Sequence, residues 1–141
     1  MDIKKLFMGG IVASVLMFLL GWLAFVKLFA GFFASHPGLA TGFNRPDADM
    51  LLVYIALGNI LHGFLLAFIF VKANVNTVVS GLITGGIIGL LFAGGMDSIM
   101  YGTTTLYSRT AAAADVAIVT AMWAIAGAVA GAVMGMGKKA A

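Results

Sequence analysis

The sequence predicts an all-α membrane protein in which four transmembrane helices form an antiparallel bundle with Gly/Ala zipper packing. Apolar residues make up 62% of the 141 residues and charged residues only 9%, whereas soluble domains carry about 25%. A chain this apolar cannot cover its surface with polar groups, so the lipid bilayer is its expected solvent. The other two observations are four apolar runs of membrane-spanning length and stripes of small residues at four-residue spacing.

Composition also excludes several functions. The net charge of +3 is too small and too scattered for a nucleic-acid partner. The absence of Cys excludes disulfides and thiolate metal sites. We expect no cofactor and no metal, because one intramembrane histidine is too few for a zinc site or for two haem ligands. Neither a phosphate-binding glycine loop following a strand nor a Ser-His-Asp grouping can be proposed, so enzyme activity is not predicted.

Charges and turn residues divide the chain into four apolar runs, each about the 20 residues that a bilayer core requires. We expect a single integral membrane domain, residues 1–141, with spans at 6–26, 50–71, 77–98 and 116–137. The first run is longer than the apolar region of a secretory signal, about 7–15 residues, and is expected to be retained. Phe29, Phe32 and Phe33 indicate that the first helix continues into the membrane interface or lies along it.

The basic residues predict the orientation. One side of a four-span arrangement collects most of the lysines: Lys4, Lys5, Lys72, Lys138 and Lys139. The opposite side holds most of the acids, Asp47, Asp49, Asp97 and Asp115, with Lys27, Arg45 and Arg109. The positive-inside rule therefore places both termini and the short turn 73–76 in the cytoplasm. The proline-containing loop 35–49 and the Thr-, Ser- and Tyr-rich segment 98–114 are then outside.

Small residues recur every four positions in three of the predicted helices. Because lipid solvates leucine as well as protein does, such stripes provide the close helix packing. The third helix carries Gly81, Gly85 and Gly89, the fourth Gly127, Gly131 and Gly135, and the second Gly63 with Ala56, Asn59 and Ala67. The stripes of helices three and four predict a contact between these helices within one chain. The alternative is a contact with a second copy.

Asn59 and His62 lie near the middle of the second span, about one turn apart. Polar groups at this depth are costly and usually face the bundle interior. The functional interpretation is a proton relay, a ligand for a cofactor or a pore lining. The structural interpretation is a hydrogen bond from His62 to Thr84, Thr120 or a backbone carbonyl.

Asp97 is the third intramembrane polar candidate, about one turn inside the outer boundary. It is expected to pair with Arg109 or Arg45 as a structural clamp. Otherwise it lines an outward-facing vestibule with His36, Asp49 and Asp115. A cation site built from these residues would match no known metal spacing.

Three stretches carry a family resemblance. They are residues 46–52 with 56–59, residues 96–104, and residues 126–137 followed by Lys138-Lys139. The chain resembles a set of small, functionally uncharacterised four-helix bacterial inner-membrane proteins. This resemblance spans most of the chain and implies a fold and a location only.

Two characterised families of similar size provide contrasts. Small multidrug-resistance transporters require a glutamate in the first helix, and this chain contains no Glu. Fluoride channels have an Asn-x-x-x-Gly element in the second helix, to which Asn59 and Gly63 are similar. Their Phe-Ser-Thr-Phe element is missing here, and Asp97 would repel an anion.

Two functions therefore stand as expectations. The first is a structural or accessory subunit that packs in a homo-oligomer or a larger membrane complex. The alternative is a channel or carrier for a small ion or solute, with Asn59, His62 and Asp97 along its path.

Overall fold

The computed structural model describes residues 2–136 of the chain, and these residues form helices joined by short connections and by one longer loop, 36–51. Four helices are long and apolar enough to cross a membrane, as the sequence predicts. In chain order the elements are α1 (Ile3–Gly21) with a π-helical extension (Trp22–Leu28), α2 (Ala30–Ser35), a 3-10 turn (Asp47–Asp49), α3 (Leu52–Lys72), α4 (Val78–Thr103) and α5 (Arg109–Gly135). The predicted helical continuation after Lys27 is present as α2.

The predicted spans are confirmed in number, but two of their ends are wrong. The third helix continues to Thr103 and the fourth begins at Arg109, so the segment 98–114 contains only a five-residue linker, 104–108. The reason is capping. The Ser108 hydroxyl accepts a hydrogen bond from the Ala111 N–H at 3.2 Å, which starts α5 well before the apolar run. Asp97 and Asp115 consequently lie inside helices. Residues Gly137, Lys138 and Lys139, on which part of the sequence prediction depends, lie outside the described residues.

The π-helical extension of α1 is a local widening of the helix. The N–H of Phe29 bonds to the carbonyl of Ala24 at 2.8 Å, a five-residue step in place of the usual four. The Lys27 ammonium lies 5.2 Å from the centre of the Trp22 ring, a cation–π distance. The chain then continues as the short helix α2.

The most extensive helix contact is between α4 and α5, through glycines. A Cβ atom on Gly81 would collide with the carbonyl oxygen of Gly127, and one on Gly85 with that of Trp123. Gly131 in turn stands against the carbonyl of Thr77, and its Cβ would lie 3.1 Å from the Cα of Gly81. The two backbones therefore approach at positions where any other residue would force them apart.

A second close approach joins α1 to α3. On α3 it involves Gly63, which the sequence analysis predicts to pack, and on α1 it involves residues that the sequence analysis did not single out. A Cβ on Gly63 would collide with the backbone nitrogen and hydroxyl of Ser14, and Gly10 faces the ring of Phe64. The buried Ser14 hydroxyl donates to the carbonyl of Gly10 at 2.7 Å, with the carbonyl of Ile60 on α3 at 3.3 Å. The signal was present in the small pairs 9–10 and 13–14, one turn apart in α1.

Candidate functional site

Two connections meet at one end of the helices, which we call the loop end. An isolated antiparallel bridge pairs Pro37 with Tyr107, and the N–H of Ala40 donates to the carbonyl of Thr105 at 3.0 Å. The Ser108 hydroxyl donates to the carbonyl of His36 at 2.8 Å. A Cβ on Gly38 would collide with the carbonyls of residues 105 and 106, so glycine is required for this approach. The loop after α2 is thereby held against the linker before α5.

Beneath these connections lies a cavity of about 820 Å³, which we call the loop-end cavity. Its volume falls within the range of about 300–1,000 Å³ that is common for small-molecule sites. Most of its wall is apolar. The aromatic lining residues are Phe25, Phe33, Phe43, Tyr54 and Tyr107, and the polar or charged ones are His36, Asn44, Arg45 and Asp115.

Besides the loop after α2 and the linker before α5, four helical parts of the chain contribute to the walls. The π-helical extension supplies Phe25 and Val26, α2 supplies Phe33 and Ala34, the first turns of α3 supply Tyr54, and α5 supplies Asp115. A π-helical turn changes the direction in which its side chains point relative to the rest of the helix, and such turns are frequent at functional sites. The break in α1 thus contributes directly to the cavity wall.

A pair of carboxyl groups, those of Asp115 and Asp97, lies at the helix side of the cavity. We call the part of the cavity wall at Asp115 its floor. Asp115 lies in the second turn of α5, within hydrogen-bonding reach of the Asp97 carboxyl on α4. A carboxylate has no proton to donate, so a hydrogen bond between the two groups requires that one of them be protonated. The Oδ2 atom of Asp97 is buried without a hydrogen-bond partner in the described part of the chain.

The expected clamp between Asp97 and an arginine is wrong for the described residues. Arg45 and Arg109 are both exposed, and Asp97 is paired with Asp115 instead. Arg109 does line a second, smaller cavity of about 160 Å³ together with Asp97 and Tyr101. The carboxyl pair therefore stands between two cavities, with Asp115 on the larger and Asp97 on the smaller.

The alternative expectation, an outward-facing vestibule, stays a prediction, although two of its four residues share one cavity. His36 and Asp115 line the loop-end cavity, and Asp97 adjoins it through Asp115, but Asp49 is exposed outside it. The Nδ1 atom of His36 lies 2.9 Å from the carbonyl oxygen of Phe32, so this ring is held by its own helix. Within residues 2–136, no three His, Asp, Glu or Cys residues are grouped closely enough to hold a metal ion.

The pKa of Tyr107, which lies in the linker between α4 and α5, reflects the electrostatics of the cavity. Burial, followed by the negative charges of Asp115 and Asp97, raises the pKa of its hydroxyl above the ordinary value of 10.0. The hydroxyl therefore stays protonated across the physiological range and can act as a donor. Sequence analysis placed Tyr107 only in the Tyr-rich outer segment 98–114, since nothing local in the sequence indicates that it approaches Asp115.

His62 and Asn59 lie apart from the loop-end cavity. The Asn59 amide donates to the carbonyl of Ile55 at 2.8 Å, along its own helix. The His62 ring meets the ring of Phe92 edge-on at 5.0 Å and lies 5.5 Å from that of Trp123. Among the described residues His62 makes none of the expected hydrogen bonds, to Thr84, Thr120 or a backbone carbonyl, and the Thr120 hydroxyl donates to the carbonyl of Val116 at 2.6 Å.

These three rings, His62, Phe92 and Trp123, form an aromatic cluster contributed by α3, α4 and α5. Phe92 and Trp123 are stacked with their centres 5.5 Å apart, and Trp123 is only 3% exposed. Trp123 lies eight residues after Asp115, about 12 Å further along α5. The cluster thus fills the space between the helices about two turns deeper than the floor of the loop-end cavity.

The fold and the site define the chain as an α-helical membrane protein with a cavity at one end of its transmembrane helices. In comparisons with protein-family models, curated proteins and solved structures, no match to this chain was found.

Proposed function

We propose that the four long helices form an antiparallel bundle in a bacterial inner membrane, with both termini in the cytoplasm and the loop end outside. The lysine distribution supports this orientation. We also propose that the contact between α4 and α5 is a glycine zipper. Its support is the close approach of Gly81 and Gly85 to the backbone of α5.

The orientation is testable because the chain has no native Cys. Leu39, which is 88% exposed in the loop after α2, should react as Leu39→Cys with an impermeant thiol reagent added to intact cells. Ala73→Cys, in the turn between α3 and α4, should react only after the membrane is permeabilised. The reverse pattern would show that the loop end is cytoplasmic.

For function, we propose a carrier that binds a small solute in the loop-end cavity and releases it on the other side of the membrane. The observation that carries this proposal is the cavity itself, about 820 Å³ and mostly apolar, with an intramembrane carboxyl pair at its floor. Ionisable residues within transmembrane segments are costly and commonly mark solute or ion pathways. The aromatic cluster below the floor closes the path, which fits a carrier open to one side better than a continuous channel.

Filling the cavity tests this function. Ala34 is exposed on the cavity wall, and Ala34→Trp should occupy the space that a solute needs. We expect at least one of three probes, benzyltrimethylammonium, benzoate and glucose, to raise the melting temperature of wild type in nanodiscs and to enter proteoliposomes. Ala34→Trp should lose both effects.

The matched control is Gly31→Trp, on the same helix. No atom lies within 4 Å of a Cβ at Gly31, and this residue does not line the cavity. Gly31→Trp should therefore behave as wild type. A probe whose stabilisation and uptake survive Ala34→Trp would place its binding elsewhere and contradict the proposal.

The second candidate is the structural or accessory role. A feature of α3 favours it: this helix has extensive contact only with α1 and presents Val53, Leu57 and Leu61 on an exposed face. Another helix of a homo-oligomer or of a larger complex would cover that face. Native mass spectrometry in mild detergent separates the two candidates, because the accessory role requires a stable oligomer or a stoichiometric partner and the carrier role does not.

A further inference from the structure

We infer that the solute of the loop-end cavity is a small organic cation with an apolar body, such as a quaternary ammonium compound or a protonated amine. This inference rests on the proposed function and specifies its substrate class. It follows from the charge at the floor of the cavity and from the chemistry of its walls.

Acidic side chains lie on the helix side of the cavity. The carboxyl groups of Asp97 and Asp115 lie within hydrogen-bonding reach of each other, and Asp115 lines the cavity. The basic residue on the wall is Arg45, which is exposed and belongs to the loop after α2 and not to a helix. A cation deep in the cavity is therefore attracted, whereas an anion would have to approach a partly buried carboxylate.

The walls select the kind of cation. Phe25, Phe33 and Tyr54 belong to a set of five aromatic residues that line the cavity. Aromatic faces attract ammonium groups, and this attraction increases when water is excluded. A hydrated metal ion would instead require several oxygen ligands in place of its water shell, which aromatic rings do not supply. An organic cation needs no such ligands, and its apolar body gains from burial against the same rings.

A charge-matched ligand series tests the inference. Equilibrium dialysis of the full chain in nanodiscs would compare benzyltrimethylammonium, which is cationic at every pH, with benzyl alcohol and benzoate, which share its ring. We expect benzyltrimethylammonium to bind at least about tenfold more tightly than either. Asp115→Asn removes the carboxyl group from the cavity wall and should weaken binding of the cation by about tenfold or more.

Two further variants keep the result interpretable. Asp49→Asn removes the same charge from an exposed position outside the cavity and should leave binding unchanged. Asp115→Glu retains a carboxyl group and should restore most of the affinity, which separates loss of charge from damage to the fold.

Each remaining outcome overturns one proposal or both. Tight binding of benzoate or benzyl alcohol that Ala34→Trp abolishes would overturn the cation assignment and leave the carrier proposal standing. Binding of benzyltrimethylammonium that is equal in wild type and Asp115→Asn would also overturn the assignment. Absence of binding by every probe, with wild type correctly folded, would overturn both.

Discussion

Replacing Gly85 by leucine is expected to separate α4 from α5 and to lower the free energy of unfolding by more than about 3 kcal/mol. A Cβ at this position would already collide with the carbonyl oxygen of Trp123 and lie 3.1 Å from the Cα of Gly127. Both atoms belong to a helix backbone and cannot move aside as a side chain can. Thermal unfolding in detergent, followed by circular dichroism, would measure the loss.

The control for this change is Gly95→Leu, the same substitution ten residues further along α4. No atom lies within 4 Å of a Cβ at Gly95, so this variant should unfold close to the wild-type temperature. Gly131→Leu, on the facing surface of α5, should match Gly85→Leu. If Gly85→Leu and Gly95→Leu were equally stable, the proposed glycine zipper would not hold these helices together.

Hydropathy was sufficient to predict the four long helices but not their ends. The third and fourth spans were predicted to end at the charges Asp97 and Asp115, because a charged residue marks the edge of an apolar run. Helices end instead where the backbone finds a cap, and Ser108 starts α5 seven residues before Asp115. The error left Asp115 in the outer segment, so the sequence analysis could group it with Asp97 only in a vestibule and not as a pair of carboxyl groups between two helices.

The glycine spacing indicated which face of each helix allows close approach, since four-residue steps return to the same face. It could not indicate the register. Whether Gly81 faces Gly127 or Gly131 depends on the length of the linker and on helix ends that the sequence left open. The pairing of Asp97 with Asp115 depends on the same register, and so does the aromatic cluster around His62. Polar and aromatic candidates could therefore be named from the sequence, but their partners could not.

Asp97→Asn is expected to be at least as stable as the wild-type protein, whereas Asp97→Ala is expected to be less stable. The carboxyl groups of Asp97 and Asp115 lie within hydrogen-bonding reach of each other, and a hydrogen bond between them requires a proton on one of the two. The amide of an asparagine supplies its own N–H for this hydrogen bond, and an alanine has no donor.

In Asp97→Asn the amide donates to Asp115 without a shared proton, so this variant should be at least as stable as wild type at neutral pH. Asp97→Ala removes the hydrogen bond and should cost about 1–3 kcal/mol. This order is the reverse of that expected for an Asp97–arginine clamp, in which Asp97→Asn would leave an arginine without its counter-charge. Melting temperatures of the three proteins at neutral pH decide between the two. A lower melting temperature for Asp97→Asn than for wild type would restore the clamp and contradict the carboxyl pair.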